Sequence, residues 1–386
     1  QQIDEAVERL RPTTGGMGTA TRGEMYDAAL RARNQTLTDR AKDPAGFAVE
    51  HSMGWTPLNF QAPDQVTSEL RKRQQSAPEL AKQIGVTMPL LTGNEAWQLS
   101  STLDATPPSG RLPILYGLRK AAGNDEAYGS ILGQVAPHSP VTAVAGNLLP
   151  TEDAQHTPIW FTYDGSGAPL RLQSRATTIL RGEELTNPDK TAKAGEEGKG
   201  GFKGGYPMPK ETYLQQEFAS KAGDLFATRP GMQNTYYAAY RAAYASIAAD
   251  GGIIKEDGDN KVSNAALETV FGATLDFQGR RMAVPSGMDP QRFNGLVTAA
   301  VNANLTKAGL PMDYLDKKGG YTLEERGMPG SGRYYLTHGG EHLEYPNGRP
   351  IQVDLKQQYS PASGAPVKST RPETSADLAN QTPTIG

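Results

Sequence analysis

The stretch Leu91–Pro150 constrains the fold most, because it spells out the starts and stops of four short helices in succession. Thr92 and Glu95 have capping-box spacing, in which each side chain satisfies an orphan backbone donor at the helix start. Pro107 and Pro108 end that helix, since proline lacks an N–H and its ring collides with the preceding turn. A second helix runs from about Arg111 to Gly123, a residue type suited to the left-handed C-terminal position. Asn124 caps the third, with Asp125 and Glu126 placed against the positive end of the helix dipole. Tyr128, Ile131, Leu132 and Val135 then form one apolar face. Ser139 is expected to cap the fourth, with Pro140 at its first position, and Val141, Val144, Ala145 and Leu148 repeat the face. Helices this short are marginal alone, so each has to bury its stripe against the others.

The remaining sequence extends this pattern. Thr21 and Glu24 read as a second capping box, opening a helix with Tyr26, Ala29, Leu30 and Leu37 that Asp43 and Pro44 close. Residues 46–63 read as irregular, anchored by Trp55 and Phe60. Asp64 opens a long polar helix carrying Val66, Leu70, Leu80 and Ile84, with Pro78 as a kink or a restart. Alternation from Pro158 to Leu172 around Asp164-Gly165 predicts a hairpin, followed by a helical turn or two over Ala176–Leu180. Residues 183–210 are rich in Gly, Lys and Glu and are expected to be a flexible linker. Beyond them, Leu214, Phe218, Ala222 and Leu225 share a face, Thr235–Asp250 is the strongest helix, and Ser263–Phe271 and Asp289–Ala308 are two more. From Gly332 the period becomes two, predicting three short strands with turns at Gly339-Gly340 and Asn347-Gly348.

The expected fold class is therefore mainly α: two helical modules joined by a flexible linker, with a small antiparallel β unit near the C-terminus. The predicted bounds are 1–182 for the first module and its hairpin, 183–210 for the linker and 211–316 for the second module. The β unit takes 317–356, and an extended or disordered tail takes 357–386. Gln1 rather than methionine at the start is expected of a piece of a longer polypeptide.

Composition excludes some chemistries. The chain of 386 residues has no cysteine, which removes disulfides and thiolate metal sites, and its formal net charge of −3 gives no general drive toward nucleic acid. His338, Glu341 and His342 spell H-x-x-E-H, but Gly339 and Gly340 favour a turn over the helix a zinc protease needs. Asp257, Asp259 and Asn260 lack the spacing and closing glutamate of an EF-hand. The glycines between Gly195 and Gly205, with Lys199 and Lys203, follow no strand and miss the spacing of a phosphate-binding loop. No G-x-S-x-G elbow is present. No residue is assigned to catalysis, metal or cofactor. Tyr236, Tyr237, Tyr240 and Tyr244 exceed what one buried stripe needs, and are the candidate interface.

Two regions resemble large internal or ejection proteins of tailed-bacteriophage virions, which are often fused to a lytic transglycosylase. One runs from YDAALRARNQTLTDRAKDPAGFAVEH (Tyr26–His51) through WTPLNFQAPDQVTSELRKRQ to the Leu91–Pro150 stretch. The other is FASKAGDLFATRPGMQNTYYAAYRAAYASIAADGG, continuing through LETVFGA and VPSGMDPQRF into GSGRYYLTHGGEHLEYPNGRPIQVDL. The resemblance implies a virion structural protein, ejected into the host envelope or periplasm and assisting genome delivery. Its implied partners are portal, tail or other ejection proteins and further copies of itself, with contact to the host envelope or peptidoglycan and no specific nucleic-acid readout. The transglycosylases carry a Glu-Ser pair at the catalytic acid; no Glu here precedes a Ser, so no muralytic residue is carried over. The alternative is a peptidoglycan-cleaving enzyme whose carboxylate is unrecognised or outside these residues.

Overall fold

The computed structural model describes residues 7–9, 11, 19–149, 151–152, 158–186, 205–227, 229–311 and 320–355. The architecture is mainly helical with small antiparallel sheets, as capping and periodicity predict. Two compact units are present. The first holds the residues up to Leu99 together with Ala121–Gly123; the second holds Ser100–Lys120 and the residues from Asn124 onward. Among the described residues no helix is long and apolar enough to cross a membrane.

The first unit opens with α1 (Thr19–Lys42). Thr21, expected at the helix start, lies inside this helix. Asp43 then serves two helix starts at once. Its Oδ1 accepts the Gly46 amide at 2.9 Å at the head of α2 (Pro44–Glu50), and its Oδ2 accepts the Gly93 amide at 2.9 Å at the head of a later helix. A Cβ on Gly46 would stand 2.4 Å from that carboxylate, so the double cap requires glycine there. The irregular segment is shorter than expected, because Pro44–Glu50 is helical. Its buried anchors are Trp55 and Leu58, with Phe60 only half-buried. The helix α3 (Pro63–Ile84) carries Pro78 without ending, and buries Val66, Leu70, Leu80 and Ile84 as predicted. Ala45, Ala48, Trp55, Leu80, Ile84 and Met88 close one apolar core. At the head of α4 (Gly93–Ala105) the Thr92–Glu95 capping box forms as read: the Thr92 amide donates to Glu95 Oε2 at 2.8 Å, and the Glu95 amide to Thr92 Oγ1 at 3.1 Å.

After α5 (Pro108–Ala122), Gly123 takes the left-handed conformation. In the second unit Asn124 Oδ1 accepts the Ala127 amide at 2.8 Å, capping α6 (Asp125–Val135), whose predicted face is buried. Ser139 precedes α7 (Pro140–Asn147) but does not cap it with its side chain; its hydroxyl donates to Asp104 Oδ1 at 2.8 Å. The short strands β1 (Thr151–Glu152) and β2 (Pro158–Ile159) pair. So do β3 (Phe161–Tyr163) and β4 (Pro169–Arg171), whose hairpin turns on Asp164 as expected, its Oδ1 accepting the Ser166 and Ala168 amides at 2.8 Å.

The next helix, α8 (Leu172–Thr186), is longer than the turn or two predicted. It is followed by α9 (Glu211–Ala222), α10 (Gln233–Asp250) and α11 (Asn260–Phe271). Helices α8 and α10 meet backbone to backbone: a Cβ on Gly182 would lie 1.6 Å from the Ala242 carbonyl oxygen. This seam explains why the units do not part at 183–210. Residues 183–186 finish α8, and the Tyr206 amide donates to Leu185 O at 2.8 Å. The core of the Gly/Lys-rich segment and the tail from 356 on lie outside the described residues.

A hairpin absent from the expectation follows, β5 (Thr274–Phe277) with β6 (Arg280–Ala283). Both turn residues, Gln278 and Gly279, have positive φ, the twist that two-residue hairpin turns require. Gln-Gly is not among the usual signals for it. Helix α12 (Pro290–Lys307), capped by the Asp289 side chain, packs Phe293, Val297, Val301 and Leu305 over a four-stranded sheet. That sheet orders β10 (Gln352–Asp354), β8 (Arg333–His338) and β7 (Thr322–Glu325), with β9 (Glu341–His342) also on β8. Strand β7 was not expected.

Candidate functional site

Three of the four candidate interface tyrosines are core residues. Tyr236, Tyr240 and Tyr244 repeat at spacings of four, so they line one side of α10, and all are buried within this chain. Tyr236 stacks on Phe271 at 5.3 Å between ring centroids, and Tyr240 lies 5.5 Å from Phe218. The apparent excess of aromatics is absorbed by phenylalanines of α9, α11 and the 3₁₀ turn Gly223–Phe226. Tyr237 alone stays partly exposed, donating to Glu211 Oε1 at 2.6 Å.

The remaining sequence candidates are local structure. Gly339 and Gly340 both have positive φ and form the predicted turn between β8 and β9. His338 Nδ1 bonds Gly320 O at 2.8 Å and His342 Nε2 bonds Glu324 at 2.9 Å. Asp259 caps α11, accepting the Lys261 amide at 2.9 Å, while Asp257 pairs with Lys210 at 2.9 Å. Among the described residues no group of three or more His, Asp or Glu side chains is set to hold a metal ion. Lys199 and Lys203 lie outside the described residues.

The second unit contains a different site, built on Arg326–Arg333, the sequence RGMPGSGR between β7 and β8. The Arg326 amide donates to Arg333 O at 2.7 Å, which closes the loop and sets the two arginines side by side. Gly327, Gly330 and Gly332 all take positive φ, which lets six residues turn within this closure. Behind the loop, Glu325 Oε1 accepts the Ser331 amide at 2.9 Å, and its Oε2 lies 3.8 Å from Arg229 Nη2. Burial pushes the Glu325 carboxyl up to about 7, against the opposing pull of Arg229 and the loop amides.

In front of the loop is a cavity of about 260 Å³. Four arginines line it: Arg119, Arg175, Arg326 and Arg333. Two carboxylates face them, Asp125 and Glu126 of the first turn of α6. Glu126 bridges Arg326 at 3.5 Å and Arg333 at 3.4 Å while remaining 69% exposed. Asp125 pairs with Arg119, whose guanidinium also lies 5.1 Å from the Tyr128 ring centre. Val270, Phe271, Val284 and Met328 make the apolar part of the wall.

Arg175 is the unusual member. Only 5% exposed, it donates from Nε to Thr269 O at 2.7 Å, while its buried Nη2 has no protein partner. Burial pulls its pKa down to about 9, with Tyr236 opposing, so the group is still a cation at neutral pH. Close to it in the same interior, Tyr236 and Tyr334 hydroxyls and Arg229 Nε and Nη1 also lack protein partners. Buried polar atoms are nearly always paired, so this concentration makes the interior around Arg175 a candidate binding site.

None of Arg175, Arg229, Glu325, Arg326 or Arg333 was singled out from sequence. Their meeting depends on contacts between residues far apart in the chain, such as Arg229 with Glu325 and Glu126 with Arg333. A local signal did exist in the glycine-rich run flanked by two arginines. No family model, curated protein or solved structure matches the chain.

Proposed function

We propose that this chain is a binding and assembly part of an internal or ejection protein of a tailed-bacteriophage virion. In this role it is delivered into the host envelope with the genome and meets portal, tail or other ejection proteins, or further copies of itself. The sequence resemblance supports the virion assignment. The observation that carries binding over catalysis is the chemistry of the cavity wall: four guanidiniums and apolar surface, with both lining carboxylates, Asp125 and Glu126, held in ion pairs with arginines. The carboxyl raised into the range of a general acid, Glu325, does not line that cavity and commits an oxygen to the Ser331 amide.

Glu325 is nevertheless the specific observation favouring the rival, a peptidoglycan-cleaving enzyme, because glycoside cleavage needs a carboxylic acid kept protonated near neutrality. Two measurements separate the readings. A mass-spectrometric inventory of purified virions is expected to contain this chain, and its absence removes the virion assignment. A cell-wall clearing assay with the purified chain is expected to be negative. Clearing that is abolished in Glu325→Gln establishes the enzyme.

A further inference from the structure

We propose that the cavity between the Arg326–Arg333 loop and the start of α6 binds a phosphate monoester, with Arg175 as its buried anchor and Glu126 as a built-in competitor. The inference does not depend on the virion assignment. Four guanidiniums face two carboxylates, an excess of two positive charges, and a phosphate monoester near neutral pH carries close to two negative ones. Guanidinium is the side chain best matched to phosphoryl oxygens, because its planar fork donates two parallel hydrogen bonds. Arg175 lines the cavity and is its most buried arginine, and its Nη2 has no protein partner. Leaving such a group dry and unpaired is costly, and an acceptor oxygen removes that cost.

The mouth of the cavity is already occupied by an anion of the protein's own. Glu126 reaches across to both Arg326 and Arg333, each oxygen facing one guanidinium at about ion-pair distance. It is mostly exposed and sits on the first turn of a helix, so it can swing into solvent at little cost. A phosphoryl group entering here would take over the two arginines that Glu126 now shares and add Arg175, which Glu126 is not seen to contact. The ester's organic part would lie against Val270, Phe271, Val284 and Met328. The volume of about 260 Å³ suits a phosphate with a small ring, not an extended polymer.

The test is titration calorimetry of the whole chain with inorganic phosphate and with phenyl phosphate, benzoate serving as the carboxylate of matching shape. Saturable binding of phenyl phosphate, tighter than inorganic phosphate and at least tenfold tighter than benzoate, is expected. Glu126→Gln, a change at an exposed position, should tighten phenyl phosphate about tenfold by removing the competitor, and Arg333→Gln should weaken it about tenfold. Arg175→Met should abolish it; Glu126→Gln and Arg333→Gln keep the proposal testable if that buried variant does not fold. Sedimentation with phosphatidate vesicles distinguishes the sources of the monoester: capture that phenyl phosphate reverses assigns it to a lipid headgroup, and no capture assigns it to a soluble ester. No saturable binding, a preference for benzoate, or affinity unchanged in both Glu126→Gln and Arg333→Gln overturns the proposal.

Discussion

Each unit of the molecule buries arginines beside glutamates, and Arg73 in the first and Arg229 with Arg175 in the second do so in opposite ways. In the first unit Arg73 is completely buried and completely used. Its Nη1 donates to Leu90 O and Glu95 Oε2, both at 2.7 Å; its Nη2 donates to Thr56 O at 2.6 Å and Glu95 Oε1 at 2.9 Å; its Nε reaches Glu69 at 3.4 Å. Glu95 in turn accepts the Leu58 amide at 2.7 Å and the Thr92 amide at 2.8 Å. In the second unit Arg229 meets Glu325 only at 3.8 Å, and Arg175 and two tyrosines have polar atoms with no protein partner. A saturated ion pair ties irregular backbone to helices and has no capacity left for a ligand. An unsaturated one holds donors in reserve. The first is architecture; the second is where binding should be sought.

The comparison can be broken most directly at Arg73. Arg73→Met leaves Glu95 buried without its cation and should destabilise the first unit by about 3–5 kcal/mol, read by denaturant unfolding with hydrogen exchange on α3 and α4. A loss below about 1 kcal/mol would remove the structural role. The loss should also shrink in acid, where a protonated Glu95 needs no cation.

Acid should then separate the two units. At Glu95 burial raises the pKa, but the hydrogen bonds from Arg73, Leu58 and Thr92 outweigh it and leave the carboxyl lowered. Its contribution is therefore present above the unfolded value of about 4.5 and lost as pH falls through the folded one. Glu325 has the reverse sign. With the folded carboxyl raised from 4.5 to about 7, its share of stability is full below pH 4.5 and declines as pH climbs to about 7, by on the order of 3 kcal/mol. The difference in unfolding free energy between the native chain and Glu325→Gln, measured from pH 4 to 8, should show that slope. A flat difference would mean that Glu325 is already paired as well as Glu95.

The smallest effects concern hydroxyls on one helix. Tyr240 shares a 2.8 Å hydrogen bond with Ser263, and Tyr240→Phe should cost roughly 1 kcal/mol. Tyr236 has no protein partner for its hydroxyl, so Tyr236→Phe should cost nothing or stabilise by up to about 1 kcal/mol in thermal unfolding. Equal losses at both positions would show that the Tyr236 hydroxyl is satisfied in solution.

What was legible in the sequence follows the range of the forces involved. The caps at Thr92 and Asn124 act over three residues and are readable, as are the buried faces of α3, α6 and α9. The Thr92–Glu95 box was visible, but the same glutamate's bond to Arg73, 22 positions away, was not. Ser139 shows the limit even for local signals, because its hydroxyl is turned to donate to Asp104, 35 positions away, and not to accept from the helix start. The tyrosines of α10 were read as surplus because their phenylalanine neighbours lie on other helices. At the arginine site only the glycine-rich run from Arg326 to Arg333 is a local signal; charge excess and missing partners are properties of an assembled interior.

The contact of Gly182 with the Ala242 carbonyl joins helices that lie on opposite sides of residues 187–204 in the chain. Covalent continuity through those residues is thus not what holds the second unit together. A cut in the backbone there would leave two polypeptides whose packed faces, at Gly182 and Ala242, are shaped for each other. The unit behaves in this respect as a complementing pair of fragments encoded in tandem, held by the seam between α8 and α10.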